Sequence, residues 1–98
     1  MAKMDTDPSF YERADAHINL SNDQIGEVTR GKVSASMMYA TARFNAWVSA
    51  TGFESDTAMA SARTQTLDYF ASEYRKMLEE HLDDYILNFD KYMAAVKK

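Results

Sequence analysis

The sequence predicts an all-α fold in which a helical hairpin packs on a long C-terminal helix, giving a three-helix bundle. The 98 residues include only three Gly and one Pro, too few turn residues for a fold of many strands. Apolar residues recur every three or four positions in three blocks, which is the period of an amphipathic helix. The length suits one domain, so we expect a single helical domain over residues 1–98, with residues 1–7 as a disordered tail.

Composition and charge exclude several classes of protein. The absence of Cys excludes disulfides, cysteine zinc sites and thiol catalysis. The 11 basic and 15 acidic residues give a net charge of −4, which argues against nucleic acid or an anionic membrane as a partner. No apolar run approaches the roughly 20 residues needed to cross a bilayer. We therefore expect a cytoplasmic protein with no nucleic-acid or membrane partner.

The first helix is predicted over residues 8–28. Asp7 is a good N-cap residue, and Pro8 is tolerated at the first helical position because its missing N–H would be unpaired there. Gly26 weakens the last turn, and the block stops near Gly31.

The second helix is predicted over residues 33–51. Its apolar positions step by four, three, four and three residues: Val33, Met37, Ala40, Phe44 and Trp47. Because Trp47 continues this row, we expect its ring to lie in the core against the third helix. Gly52 stands where a left-handed residue commonly ends a helix, and Phe53 is placed to fold back on the last turn.

The third helix is predicted to run unbroken over residues 56–96, because neither Gly nor Pro occurs there. Its large apolar residues repeat at nearly heptad spacing, with one extra step: Leu67, Ala71, Tyr74, Leu78, Leu82, Tyr85, Phe89, Tyr92 and Val96.

The length of the third helix predicts an oligomer. At 1.5 Å per residue it would reach about 60 Å, while each hairpin helix would reach only about 28 Å. The far half would leave an apolar patch in water unless a second chain covered it. Either the helix breaks near Asp83-Asp84 and folds back, or the protein self-associates, and we favour self-association.

The predicted interface comprises Leu82, Tyr85, Ile86, Phe89, Tyr92, Met93 and Val96. An antiparallel pair would bring Asp83 and Asp84 toward Lys91, Lys97 and Lys98.

Two motifs resemble functional sites, but their context favours structural roles. Gly26–Lys32 matches the G-x-x-x-x-G-K spacing of a phosphate-binding loop, yet Val33 follows in place of Ser or Thr and no apolar strand precedes it. We interpret it as an inter-helix turn.

Carboxylates four residues apart could hold a divalent metal, and Glu79, Glu80, Asp83 and Asp84 have that spacing. No E-x-x-H pair accompanies them, so a solvated charged face is the preferred interpretation and no metal site is assigned.

Arg43 is the third candidate. It adjoins the apolar row of the second helix, and antiparallel pairing about Arg30-Gly31 would place residue 17 near residue 43. We expect an ion pair from Arg43 to Asp15 or Glu12, because a half-buried guanidinium requires a carboxylate. The alternative is a ligand-anchoring arginine, with Tyr39 beside it.

Three segments resemble one family: Phe10–Asp15 (FYERAD), Gly31–Ala40 (GKVSASMMYA) and Tyr74–Glu80 (YRKMLEE). They are similar to a small proteobacterial family of uncharacterised proteins, a domain of unknown function. The resemblance covers roughly residues 10 to 93 and is weakest across 49–66. It implies a stand-alone bacterial cytosolic protein, and it implies no activity, cofactor or catalytic residue.

These observations favour a non-catalytic interaction or assembly module that self-associates through its C-terminal helix. No nucleophile, base and orienting group converge in the sequence, so we expect no enzyme activity and no cofactor. The alternative is a small-ligand or divalent-metal-binding protein using Arg43 and Tyr39, or the acidic cluster. The expected partner is a second copy of the chain, and another protein is a further candidate.

Overall fold

The computed structural model describes residues 6–96, and each regular element in that range is a helix. The helices are α1 (Phe10–Gln24), α2 (Arg30–Thr51), α3 (Asp56–Ser61), α4 (Arg63–Leu87) and α5 (Phe89–Met93). The predicted all-α class is confirmed. The chain divides between Glu54 and Ser55 into two units, of which the first holds α1 and α2 and the second holds α3, α4 and α5. The single domain and the packing of the hairpin on the C-terminal helix stay predictions.

Helix α1 begins two residues later than predicted, because Pro8 and Ser9 form a turn before it. The Phe10 N–H donates to the Asp7 carbonyl at 3.0 Å, and Ser9 is the N-cap residue without a side-chain hydrogen bond. The Asp7 carboxylate accepts from the Arg13 guanidinium at 2.6 Å. This hydrogen bond lowers the pKa of Asp7 and raises the pKa of Arg13. Of the predicted disordered tail, residues 1–5 lie outside the described residues.

The first hairpin turn lies at Ile25–Thr29, so α1 ends at Gln24 rather than at residue 28. Ile25 is extended, with ψ 133°, and Gly26 has φ +111°. A side chain rarely adopts that φ, which makes glycine the fitting residue at this corner. The Gly26 N–H donates to the Val28 carbonyl at 3.2 Å and closes the turn. Gly31 does not end the block, because it lies in the first turn of α2.

Helix α2 begins three residues earlier than predicted because Thr29 caps it. The Thr29 hydroxyl accepts from the Lys32 N–H at 3.4 Å, which satisfies one of the free donors of the first turn. The other end is at Thr51, as predicted. Gly52 has φ −90° and ψ −3°, so the left-handed conformation predicted for it is wrong. The chain leaves through a tighter turn, in which the Gly52 N–H donates to the Ser49 carbonyl at 3.0 Å.

The predicted unbroken helix over 56–96 is wrong, because residues 62 and 88 interrupt it. The Ser55 hydroxyl caps α3 by accepting from the Ala58 N–H at 3.1 Å. At Ala62 the backbone has φ −97° and ψ 4°, and its N–H donates to the Met59 carbonyl only three residues back. Asn88 makes the second break, and α4 continues through Asp83 and Asp84, where the alternative break was predicted. Lys97 and Lys98 lie outside the described residues.

Burial is sparse within residues 6–96. Val33, in the first turns of α2, is the one buried residue there, at 4% exposure. Trp47 is 62% exposed, so the hairpin alone does not bury its ring, and its predicted packing against the third helix stays a prediction. The half-buried residues of α1 are Phe10, Ala14 and Ser21, and the Ser21 hydroxyl donates to Met37 Sδ at 3.4 Å. Two of these three side chains are small, and small side chains cannot cover a neighbouring helix's aromatic rings.

Candidate functional site

The segment with phosphate-loop spacing is a turn between helices, as predicted. It begins in the corner at Gly26 and ends inside α2 at Lys32, and the element before it is helix α1 rather than a strand. A phosphate-binding loop requires a preceding buried strand to aim its amide groups at the phosphates. This segment therefore forms the corner that leads into α2, and it lacks the preceding strand that a phosphate-binding loop requires.

The acidic side chains of α4 do not converge on one point within the described residues. Over residues 6–96, no three His, Asp or Glu side chains come close enough together to hold a metal ion. Glu79 instead forms an ion pair with Arg75 at 3.5 Å, and both side chains are exposed. The cluster is a charged helix face within the described range.

Arg43 lies over the ring of Tyr39, with 5.9 Å between the guanidinium carbon and the ring centroid. These two residues are four apart on α2, so they share one side of the helix. The ion pairs among residues 6–96 join other residues, and the structure does not bring Arg43 to Asp15 or Glu12. A cation over an aromatic face gains electrostatic attraction without needing a carboxylate.

The residues predicted as the interface form an exposed apolar surface along the C-terminal part of the chain. This surface, termed the C-terminal seam, comprises Leu82, Tyr85, Ile86, Phe89, Tyr92, Met93 and Val96. None of them is buried; Met93 is half-buried, and Leu82 is 51% exposed. The row of exposed apolar residues continues toward the start of α4 through Leu78, Tyr74 and Leu67.

A cluster of polar side chains holds the two parts of the seam together across the break at Asn88. One Asp84 carboxylate oxygen accepts from the Asn88 amide at 2.9 Å, and the other accepts from the Tyr92 hydroxyl at 2.9 Å. The Tyr92 ring also lies 4.8 Å from the Tyr85 ring, centroid to centroid. This Asp84 cluster fixes α5 on the end of α4. Sequence reasoning missed it, although Asp84, Asn88 and Tyr92 recur every four residues, the spacing that places side chains on one side of a helix.

A second exposed surface lies on α2, where the sequence predicted core. This α2 aromatic face comprises Met37, Phe44, Trp47 and Val48, which repeat at helical spacing on one side of the helix. The Phe44 and Trp47 rings are 63% and 62% exposed, and their centroids are 5.8 Å apart. On α1, the small residue Ser21 meets one end of this row, where its hydroxyl donates to Met37 Sδ.

Comparison with known proteins gives a family and a related structure. The model of a family described as "Protein of unknown function (DUF3144)" matches residues 10–86. The chain is also similar to an NMR structure of the protein NB7890A from Shewanella sp, with 41% sequence identity and a TM-score of 0.73. That match covers 92% of this chain and 96% of the other. No curated protein matches the sequence.

The resemblance inferred from the three sequence segments is thereby confirmed, and the family match reaches residue 86 rather than 93. The structure adds one finding on membranes: within residues 6–96, no helix has both the length and the apolar character of a membrane span.

Proposed function

Because the chain belongs to the DUF3144 family, whose description assigns no activity, we propose its function from its own surfaces: a non-catalytic helical module that self-associates through the C-terminal seam. The observation that carries the proposal is the exposure of that seam over α4 and α5. Monomeric proteins rarely leave a continuous apolar surface of this kind in water.

The energy of covering the seam is sufficient for association. Removing apolar surface from water stabilises by roughly 25 cal/mol per Å², and each large side chain contributes about 1.5–3 kcal/mol when fully covered. Six of the seven seam residues are still more than one-third exposed within one chain, so most of this energy remains to be gained. Even after the cost of association, the surplus supports a dimer at micromolar concentration.

The polar side chains that form hydrogen bonds and ion pairs with one another support a structural role for these groups rather than a catalytic one. The Asp84 cluster joins α5 to α4, and the pair of Asp7 and Arg13 braces the start of α1. Each of these groups has a partner that explains its position. The proposal therefore includes no catalytic step and no cofactor, and its partner is a second copy of the chain.

Light scattering at tens of micromolar tests the proposal. We expect the parent to scatter with twice the 11.2 kDa mass of one chain, and Leu82→Lys to scatter as a monomer. Leu87→Lys is the matched control: Leu87 is 83% exposed and lies about 140° around α4 from Leu82, off the seam. A parent mass of 11.2 kDa would reject self-association, and equal effects of the two variants would reject the seam as its surface.

A further inference from the structure

We propose that the α2 aromatic face of one chain docks on the C-terminal seam of a second chain, and that the same contact repeats about a two-fold axis. This inference rests on the proposed self-association and names the surface that covers the seam. It replaces the simpler arrangement, in which two seams pair with each other.

The two surfaces match in length and in exposure. The α2 aromatic face spans residues 37–48 and the seam spans residues 82–96, so they extend about 17 and 21 Å. Each consists of large apolar side chains that are exposed or half-buried. Pairing two seams would cover α4 and α5 but leave the Phe44 and Trp47 rings in water. Docking α2 on the seam covers both surfaces.

Charge also favours the mixed contact. Helix α2 carries three basic residues and no acidic ones: Arg30, Lys32 and Arg43. Helix α4 carries six acidic and three basic residues, so its net charge is equal and opposite. Two α4 helices facing each other would bring together surfaces of the same sign, whereas α2 and α4 attract. The mixed contact therefore gains electrostatic energy along most of α4, whereas seam-on-seam pairing gains it only where Asp83 and Asp84 of one chain approach Lys91 of the other.

A two-fold axis makes this arrangement a closed dimer. In a dimer of this symmetry, a surface at residue i that meets residue j of the partner is matched by j meeting i. Each chain then contributes two strips, about 17 and 21 Å long and each about 10 Å wide. Together they make about 400 Å² per partner, which is about half of the roughly 800 Å² of a standard stable interface, and the exposed row that continues from the seam through Leu78 and Tyr74 adds to it.

Mixing two association-deficient variants tests the arrangement. Phe44→Glu disrupts the α2 face and Leu82→Lys disrupts the seam, so each variant alone should scatter as a monomer. Their mixture should recover the dimer mass, because one interface then joins the intact seam of the first variant to the intact α2 face of the second. In the other interface the introduced Glu and Lys have opposite charges, which limits repulsion.

The controls and outcomes separate this inference from the proposed function. Met38→Glu places the same charge on a residue that is 56% exposed and about 120° around α2 from Phe44, and it should remain dimeric. Circular dichroism should show parent-like helicity in every variant, since each replaced side chain is exposed. A dimeric Phe44→Glu, or a mixture that stays monomeric, overturns the mixed contact while a dimeric parent preserves self-association. A monomeric parent overturns both.

Salt provides a second readout on the unmodified protein. If oppositely charged helices meet, the dissociation constant should rise as salt is added, because screening weakens their attraction. A dissociation constant that falls with added salt would indicate contact between like-charged helices and would overturn the mixed contact.

Discussion

Asp84 shows how one side chain determines local structure. Its carboxylate accepts from Asn88 and Tyr92, and its backbone carbonyl accepts the Asn88 backbone N–H at 3.0 Å. The Asn88 side-chain amide also donates to that carbonyl at 3.2 Å, and Asn side chains often compete with helical backbone hydrogen bonds in this way. The charged acceptor raises the pKa of Tyr92, because ionising the phenol would remove the donor and place two negative charges together.

Replacing Asp84 should change the titration of Tyr92. We expect Asp84→Asn to move the pKa of Tyr92 down toward the ordinary value of about 10, because the negative charge is removed. A pH titration followed by the Tyr92 ring resonance in NMR measures this shift. Asp83→Asn is the control, since Asp83 makes no hydrogen bond to Tyr92 within the described residues. Equal shifts in both variants would contradict a specific role for Asp84.

The sign of this coupling fixes its effect on stability. A pKa raised in the folded state means that the contribution of Tyr92 is fully present below about pH 10. The contribution is lost as pH rises through the raised pKa. The parent should therefore lose more stability than Tyr92→Phe on passing above pH 10, which urea denaturation at several alkaline pH values can measure.

The elements show which features of the fold the sequence determines locally. Helical spacing predicted α1, α2 and the seam, since periodicity depends only on residue type, whereas helix over α3 was predicted from the absence of Gly and Pro. Helix ends were less accurate because they depend on hydrogen bonds such as that from Lys32 to Thr29. The break at Asn88 has a local signal in a poor helix former. The break at Ala62 has none, because Ala is the best helix former and the backbone tightens there regardless.

Two glycines of the hairpin should respond oppositely to substitution. Gly26→Ala should destabilise by roughly 1–2 kcal/mol, because φ +111° is strained for any side chain. Gly31→Ala should stabilise by about 0.5 kcal/mol, because Gly31 is helical and an added Cβ would meet nothing within 4 Å. Urea denaturation measures both changes, and the same sign at both positions would contradict the turn geometry.

Val33 should be the most sensitive aliphatic position of the hairpin. Val33→Ala removes two buried methyl groups and should cost roughly 2 kcal/mol. Val28→Ala is the control, because Val28 is largely exposed in the turn and should lose less than about 1 kcal/mol. Denaturation midpoints that shift equally would show that Val33 is not the packing centre.

At the scale of the whole molecule, many large apolar side chains of residues 6–96 remain exposed to water in a single chain. The sequence predicted the seam, but it placed Trp47 in the core, because a helical row shows which residues share a side and not what covers them. What covers a row depends on the size of the side chains opposite it, and here the small residue Ser21 of α1 contacts Met37. The length of the third helix and its apolar repeat therefore predicted an associating helical protein, while the second surface required the structure.

Association should make thermal stability depend on protein concentration. Partner binding stabilises the folded state by mass action, so Tm should rise by roughly 3–5 °C for each tenfold increase in concentration. Differential scanning calorimetry over two decades of concentration measures this dependence. Leu82→Lys should abolish it and Leu87→Lys should retain it. A parent Tm that is independent of concentration would contradict a coupled dimer.

The position of Trp47 has a practical consequence for observing this protein. It is the single tryptophan of the chain, so all indole fluorescence originates at the α2 aromatic face. Emission from a solvated indole shifts to shorter wavelength when a partner displaces its water. The unlabelled protein thus carries an intrinsic fluorescent probe. The emission wavelength recorded over a dilution series would show directly when water reaches the α2 aromatic face.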